Sequence, residues 1–355
     1  MAIDRNKLIF TLGKALISLC LLTFLLSRID TQVFLNLGKQ FSIWFFLPLI
    51  LLFISTTFLG SWRWKLILAC NSLIQSIPRG AYLYLVGYFY NNFLPTAIGG
   101  DIMRGYEATR KLGSPYKVFS SIVVERIMGL LAALTIALFF LLIVQPPKPL
   151  WLLVLGLNAA AWVGTLLLIM PRKTSMTDRF LHRLPAAVQS KLIGIVTAIR
   201  EYRNNPSLLG KSFLVAILYQ GSLILVCWTG AHLAGIKAIP MLGYFVFVPI
   251  VWVVALLPIS LNALGVNEVS FAYFFSLLGA PKEQGILVSL ILFGTTLMSS
   301  TVGGVLWGIA SYGHGQEEVG LAEFDHGIGA SKGSRAADDE ASTSLSESGS
   351  YRQAR

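Results

Sequence analysis

The stretch Asn91 to Arg104, NNFLPTAIGGDIMR, decides how the rest of the chain is understood. It breaks the aromatic, apolar run of residues 81–90 with two amides, a proline, a Gly-Gly pair, an aspartate and an arginine. A helix that simply crosses a bilayer needs none of these, because each polar group there must find a partner inside the protein. Much later, Leu257 to Glu268, LPISLNALGVNE, repeats the pattern: an apolar run, Leu-Pro, a hydroxyl residue, a glycine, then an acid. Two interrupted apolar segments in the two halves of a membrane protein point to a transport site between inverted repeats.

Composition places the whole chain in a bilayer. It is 55% hydrophobic and 13% charged, with a mean hydropathy of +0.69. A soluble domain carries roughly 25% charged residues. Of the 28 basic residues 24 precede Gly313, against 9 of the 17 acidic ones, so the body of the protein is strongly basic. These cations sit in short loops between apolar runs. They orient the chain and attract anionic lipid, and nucleic acid is not an expected partner. Cys20, Cys70 and Cys227 and the four histidines are scattered at no ligand spacing, which leaves no metal site or disulfide framework to expect.

Taken in order, Leu8 to Leu26 is a long apolar run behind Arg5 and Lys7, with no A-x-A site after it; it is expected to be an uncleaved first span. Ile43 to Ser61 is a second span, closed by Trp62-Arg63-Trp64-Lys65, whose indoles and cations suit an interfacial anchor. Gly80 to Leu94 is about 22 Å long as a helix, short of a ~30 Å hydrocarbon core. The basic residues between Asp101 and Lys117 place its exit on the side it entered, so it is expected to be a re-entrant hairpin shaped by Pro95, Gly99 and Gly100. Val118–Val144, Leu150–Met170, Ser212–Leu233 and Gly285–Ser311 are further spans. Pro171 to Lys211 is the most basic loop, eight cations against two acids, and Ala187 to Tyr202 within it has the apolar spacing of a helix lying along the interface. Met241 to Leu257 is the second short run, ending at Pro258, with Gly265 beyond it.

The fold expected is therefore all-α and polytopic. It has about six full transmembrane helices and two re-entrant or broken helical hairpins in an inverted-repeat arrangement, with eight conventional spans as the rival scheme. Residues 1–312 form the transmembrane domain. Residues 313–355, rich in Gly, Ser, Ala and acids, form a disordered cytoplasmic tail. Both termini are expected on the cytoplasmic side of the cell membrane.

Ionisable residues inside apolar segments mark the candidate site. If a helix restarts after Gly100, Asp101 and Arg104 are i,i+3 neighbours on one face. Arg104 is assigned to a headgroup phosphate, which its planar fork suits. Asp101 and Glu268 either face an amine or cap the helices that follow the two breaks. Arg126 pairs with one of these acids or with its neighbour Glu125. Asn91 and Asn92 either touch a headgroup or satisfy backbone freed by Pro95.

The order and spacing of NNFLPTAIGGDIMR, VVERIMG and LPISLNALGVNE resemble the transmembrane region of lysylphosphatidylglycerol synthases and its flippase-like relatives. The resemblance spans roughly Leu8 to Tyr312. It implies a translocase for a polar-headgroup lipid: an anionic or aminoacylated phospholipid, or an isoprenoid-phosphate-linked precursor. No cofactor is implied. The soluble aminoacyl-transferase domain of the synthases, and the glycosyltransferase domain of some relatives, are expected to be absent, so the chain is not expected to be an enzyme. A basic residue usual before the second acid is missing, and Asn262, Ala263 and Asn267 occupy that stretch. A lipid-modifying enzyme using Asp101 and Glu268 as acid and base is a competing function. A non-catalytic partner of a separate transferase is another, and a homo-oligomer is compatible with each.

Overall fold

The computed structural model describes residues 43–93, 99–144, 148–169, 195–256 and 263–310, all helices and short connections with no strand among them. The helices are α1 (Ile43–Cys70), α2 (Ile77–Phe93), α3 (Gly99–Leu112), α4 (Pro115–Val144), α5 (Lys148–Ile169) and α6 (195–201). Then follow α7 (Pro206–Leu233), α8 (Met241–Ala255), α9 (Val266–Leu277) and α10 (Lys282–Ala310). The protein is a polytopic all-α membrane protein. Among the described residues α1, α4, α5, α7 and α10 are long and apolar enough to cross a bilayer. The first apolar run, the tail, Pro95 and Pro258 lie outside the described residues.

Helix ends follow local chemistry. Proline begins α4 and α7, where its missing N–H removes nothing from the helical ladder. Asn205 donates from its side-chain amide to the Cys70 carbonyl at 3.0 Å, satisfying an acceptor at the end of α1. Several spans run beyond their apolar cores: α1 continues nine residues past Ser61, and α7 starts at Pro206 rather than Ser212.

Besides α6, four of the described helices are too short to cross: α2 and α3 flank the first chain break, α8 and α9 the second. α3 also carries Asp101, Arg104, Glu107, Arg110 and Lys111 and cannot be a lipid-exposed span. It packs on α2 and on α4. The first contact is made through backbone: a Cβ on Gly100 would lie 2.0 Å from the Gly87 carbonyl oxygen. Small residues that let helix backbones touch are the usual means of association where lipid and protein are equally apolar. The same device recurs where α10 crosses α2, with a Cβ on Gly303 falling 2.2 Å from the Leu85 carbonyl, and where it crosses α9, at Gly285 and Phe271.

The larger apolar core joins α1, α4, α7, α8, α9 and α10 through Leu49, Leu141, Ile224, Phe247, Phe275 and Ile291. A second one, around Trp64, Leu83 and Val118, holds α1, α2 and α4 together beside α3. α5 buries little and leaves Leu152, Val163 and Leu166 on the outside.

Two expectations are corrected here. Trp62-Arg63-Trp64-Lys65 does not close the second span, because α1 runs on to Cys70, and only two of its four residues face outward. At 100° per residue the helix turns Trp62 and Lys65 outward and carries Arg63 and Trp64 into the protein, where they are 5% and 0% exposed. The described part of the amphipathic segment, 195–201, does not lay its apolar face on lipid. Ala198, Ile199 and the following Tyr202 are buried, the last two against Ile67, Met128 and Ala216 of the bundle.

Candidate functional site

Residues of α1–α4 and α7–α10 enclose a cavity of about 550 Å³, within the range of small-molecule sites. Its charged wall is an alternating chain of five groups. Arg63 Nη2 lies 2.5 Å from Glu125 Oε1, and Arg104 Nη2 lies 2.7 Å from Glu125 Oε2. Arg104 Nη2 is also 3.3 Å from Asp101 Oδ1. Asp101 Oδ2 then accepts from Arg126, at 2.7 Å from Nε and 2.5 Å from Nη2. The order is Arg63, Glu125, Arg104, Asp101, Arg126.

Each member is brought there for a local reason. Asp101 sits in the first turn of α3, where the free amides of a helix start favour an acid. Arg104 is one turn further on the same face, as the spacing predicts. Glu125 and Arg126 are neighbours on α4, about 100° apart, so one points into the bundle and the other along the cavity. One turn after Glu125 comes Gly129, where a Cβ would lie 3.3 Å from Arg63 Nη1; the missing side chain leaves room for that guanidinium. Gln220 donates to the Gly129 carbonyl at 2.8 Å and ties α7 to the same spot.

Burying charge is costly unless it is paired and hydrogen-bonded. Here the aromatic residues help. Arg104 lies 4.3 Å from the centre of the Tyr84 ring and 4.6 Å from that of Trp64, and Arg63 lies 4.6 Å from the Tyr219 ring. The Tyr84 hydroxyl donates to Glu125 Oε1, and Tyr88 and Tyr219 join hydroxyls at 2.9 Å. Side-chain exposure along the chain of charges is 6%, 4%, 3%, 13% and 55%. Three guanidiniums face two carboxylates, which leaves the network with one surplus positive charge, and Arg126 is its exposed end.

The other expected residues fall into place around this network. The Asn91 side-chain oxygen accepts from the Gly100 amide at 2.7 Å, so Asn91 ties the two sides of the first break together. Asn92 donates to Ser300 Oγ at 2.6 Å and links α2 to α10. Both also line the cavity. Arg126 pairs with Asp101, and Glu125 takes Arg63 and Arg104 instead. Arg104 is enclosed between two acids and two rings, so of the three arginines that line the cavity Arg126 is the exposed one.

Glu268 lies in the wall of an adjoining cavity of about 270 Å³. Tyr88, Leu223, Trp252, Asn267 and Thr296 are common to both cavities. Its carboxylate accepts from the Gly265 amide at 2.6 Å and from Ser289 Oγ at 3.2 Å. Gly265 has φ +82, a conformation that disfavours any side chain, and the bond to Glu268 closes the start of α9. Ala263, beside the second break, holds φ +57 without that freedom and lines the larger cavity. A non-glycine residue in this region is strained, and such strain gathers at functional sites.

Sequence reasoning missed Arg63, Tyr84, Tyr219 and Gln220. A signal for the first was present: Leu66, Ile67 and Leu68 resume the apolar run after Lys65, which a true helix end would not require.

The family model described as the lysylphosphatidylglycerol synthase TM region matches residues 11–304. The chain belongs to that family. No curated protein and no solved structure matches it. Membership of the lysylphosphatidylglycerol synthase TM family places the chain among multi-pass membrane proteins associated with lipid. Both chain breaks and all five members of the ionic chain fall within the matched residues.

Proposed function

We propose that the protein is a lipid translocase that moves a phosphate-bearing headgroup between leaflets and makes or breaks no covalent bond. The observation that carries this is the cavity itself: a net-cationic wall ending in an exposed arginine, in a cavity also lined by apolar residues such as Leu130, Leu223, Pro249 and Val253. Such a site gives a polar head a partner at depth while acyl chains remain among apolar side chains. Without partners, each polar group moved into hydrocarbon would cost several kcal/mol.

Asp101 and Glu268 act as organisers in this proposal, the first holding Arg104 and Arg126 and the second closing α9. In this reading the basic segment from Pro171 to Lys211 faces the cytoplasm, with both termini on the same side of the cell membrane. The lipid is drawn from anionic, aminoacylated and isoprenoid-phosphate-linked classes, and a homo-oligomer or a separate transferase is compatible with the site.

Reconstitution of the chain into vesicles containing a labelled phospholipid tests the proposal. Movement of label between leaflets with its mass unchanged supports it. A product of altered mass would replace it with a lipid-modifying enzyme. Neither movement nor product would leave the role of a membrane partner for a transferase.

A further inference from the structure

Every described carboxylate in the two cavity walls is engaged, whereas the arginines keep donors to spare. Arg63 Nε and Nη1 and Arg104 Nε are buried without a partner among the described residues, and Arg126 keeps an open edge where it is exposed. Glu125 uses Oε1 for Arg63 and Tyr84 and Oε2 for Arg104. Asp101 uses Oδ1 for Arg104 and Oδ2 for Arg126. Glu268 uses one oxygen for the Gly265 amide and the other for Ser289. On Arg126, Asp101 occupies only the Nε–Nη2 edge. Among the described residues Nη1 has no partner, and the side chain is 55% exposed beside the cavity. A guanidinium offers five N–H donors in a flat fork, so the Nη1–Nη2 edge stays open to a bidentate oxyanion.

From this we infer that the cavity selects lipids whose headgroup carries a net negative charge, a phosphodiester without a compensating amine, and that Arg126 binds the phosphate. This rests on the proposed translocase function of the same site. The two chain breaks do not change the charge balance, because residues 94–98, LPTAI, and 257–262, LPISLN, contain no ionisable side chain. Lys14, the one ionisable residue in the first apolar run, is itself a cation.

Three headgroups then separate by charge. A phosphatidylglycerol head brings one negative charge and neutralises the surplus on the wall. A phosphatidylethanolamine head brings its own ammonium, for which the walls hold no free carboxylate. A lysyl ester brings its amino groups against one phosphate and adds positive charge beside Arg126. Like charges a few ångströms apart in a site of reduced dielectric repel strongly. The order of transport is therefore phosphatidylglycerol, phosphatidylethanolamine, lysylphosphatidylglycerol, with the lipid for which the family is described coming last.

The full chain in phosphatidylcholine vesicles, carrying one of these three lipids with a fluorescent acyl chain, gives the test through quenching of the outer leaflet. Phosphatidylglycerol is expected to move at least about tenfold faster than the lysyl ester, which corresponds to ~1.4 kcal/mol. Arg126→Gln flattens the difference, and Arg126→Lys keeps the order because it keeps the charge. Retention of the same lipids by the detergent-solubilised chain, read by native mass spectrometry, is a second measurement independent of transport. Preferential retention of phosphatidylglycerol that Arg126→Gln removes supports the selection even where no lipid moves, a result that would sink translocation alone. Equal rates with equal retention overturn the inference, as does a persistent preference in Arg126→Gln. Entry of water-soluble glycerophosphoglycerol without lipid movement would assign the same chemistry to a soluble ester and also overturn it.

Discussion

Gly100 and Gly87 touch backbone to backbone across the first chain break, so closely that a Cβ on Gly100 would fall 2.0 Å from the Gly87 carbonyl oxygen and 2.8 Å from the Asn91 side chain. The obstacle on one side is main chain, which cannot rotate away. Gly100→Ala must therefore separate α3 from α2, and backbone shifts of this kind cost about 1–3 kcal/mol or more. Thermal unfolding in detergent is expected to show a clear loss of stability. Gly156→Ala is the control: nothing lies within 4 Å of its Cβ position on α5, and the change should be neutral or slightly stabilising.

Glu125 is the keystone of the ionic chain, with a guanidinium on each oxygen. Glu125→Ala leaves Arg63 without an acid, with only the Tyr84 hydroxyl at 3.3 Å and the Tyr219 ring beside it, and leaves Arg104 with Asp101 as its one acid. Removing one partner of a buried ion pair typically costs ~3–5 kcal/mol. A loss of that size in detergent stability is expected, larger than for Asp101→Asn at the partly exposed end. Equal effects of the two changes would show that depth does not set the importance of these acids.

Asp101 joins Arg104 to Arg126 and fixes the orientation of the open guanidinium. Asp101→Ala is expected to reduce lipid movement to the level of empty vesicles while the protein still inserts in the membrane. Arg104→Ala should do the same with an added loss of stability, since it frees a charge on Glu125. Wild-type flux in both variants, measured by the same quenching assay, would remove these residues from the site.

Glu268 serves the start of α9. Glu268→Ala deprives the Gly265 amide and Ser289 of their acceptor and should cost ~1 kcal/mol, in the range of a lost helix cap. Glu268→Gln keeps an oxygen for Gly265 and is expected to recover most of that. Transport at a near-normal rate in Glu268→Gln would place this acid in the scaffold, whereas a complete block with stability intact would give it a direct part in moving lipid.

Much of this arrangement is written in short-range pattern. Hydropathy marked the spans at α1, α4, α5, α7 and α10, because about 20 apolar residues in a row have few other stable environments. Pro95 with Gly99 and Gly100 marked the first break, and an i,i+3 spacing put Asp101 and Arg104 on one face before any fold was known. The second acid was legible as one of two alternatives, and the Gly265–Glu268 bond shows the capping contact.

Pairing across the bundle was not legible. The sequence by itself determined which segments enter the bilayer, where the chain breaks, and that acids and arginines sit inside. Only the tertiary structure decided that Arg63 meets Glu125, 62 residues away, and that Arg126 rather than Arg104 keeps an open face. A guanidinium reads the same in a sequence whether it ends buried or wet. Its exposure depends on which helices pack beside it, and here the close glycine contacts between α2, α3 and α10 help to set that packing.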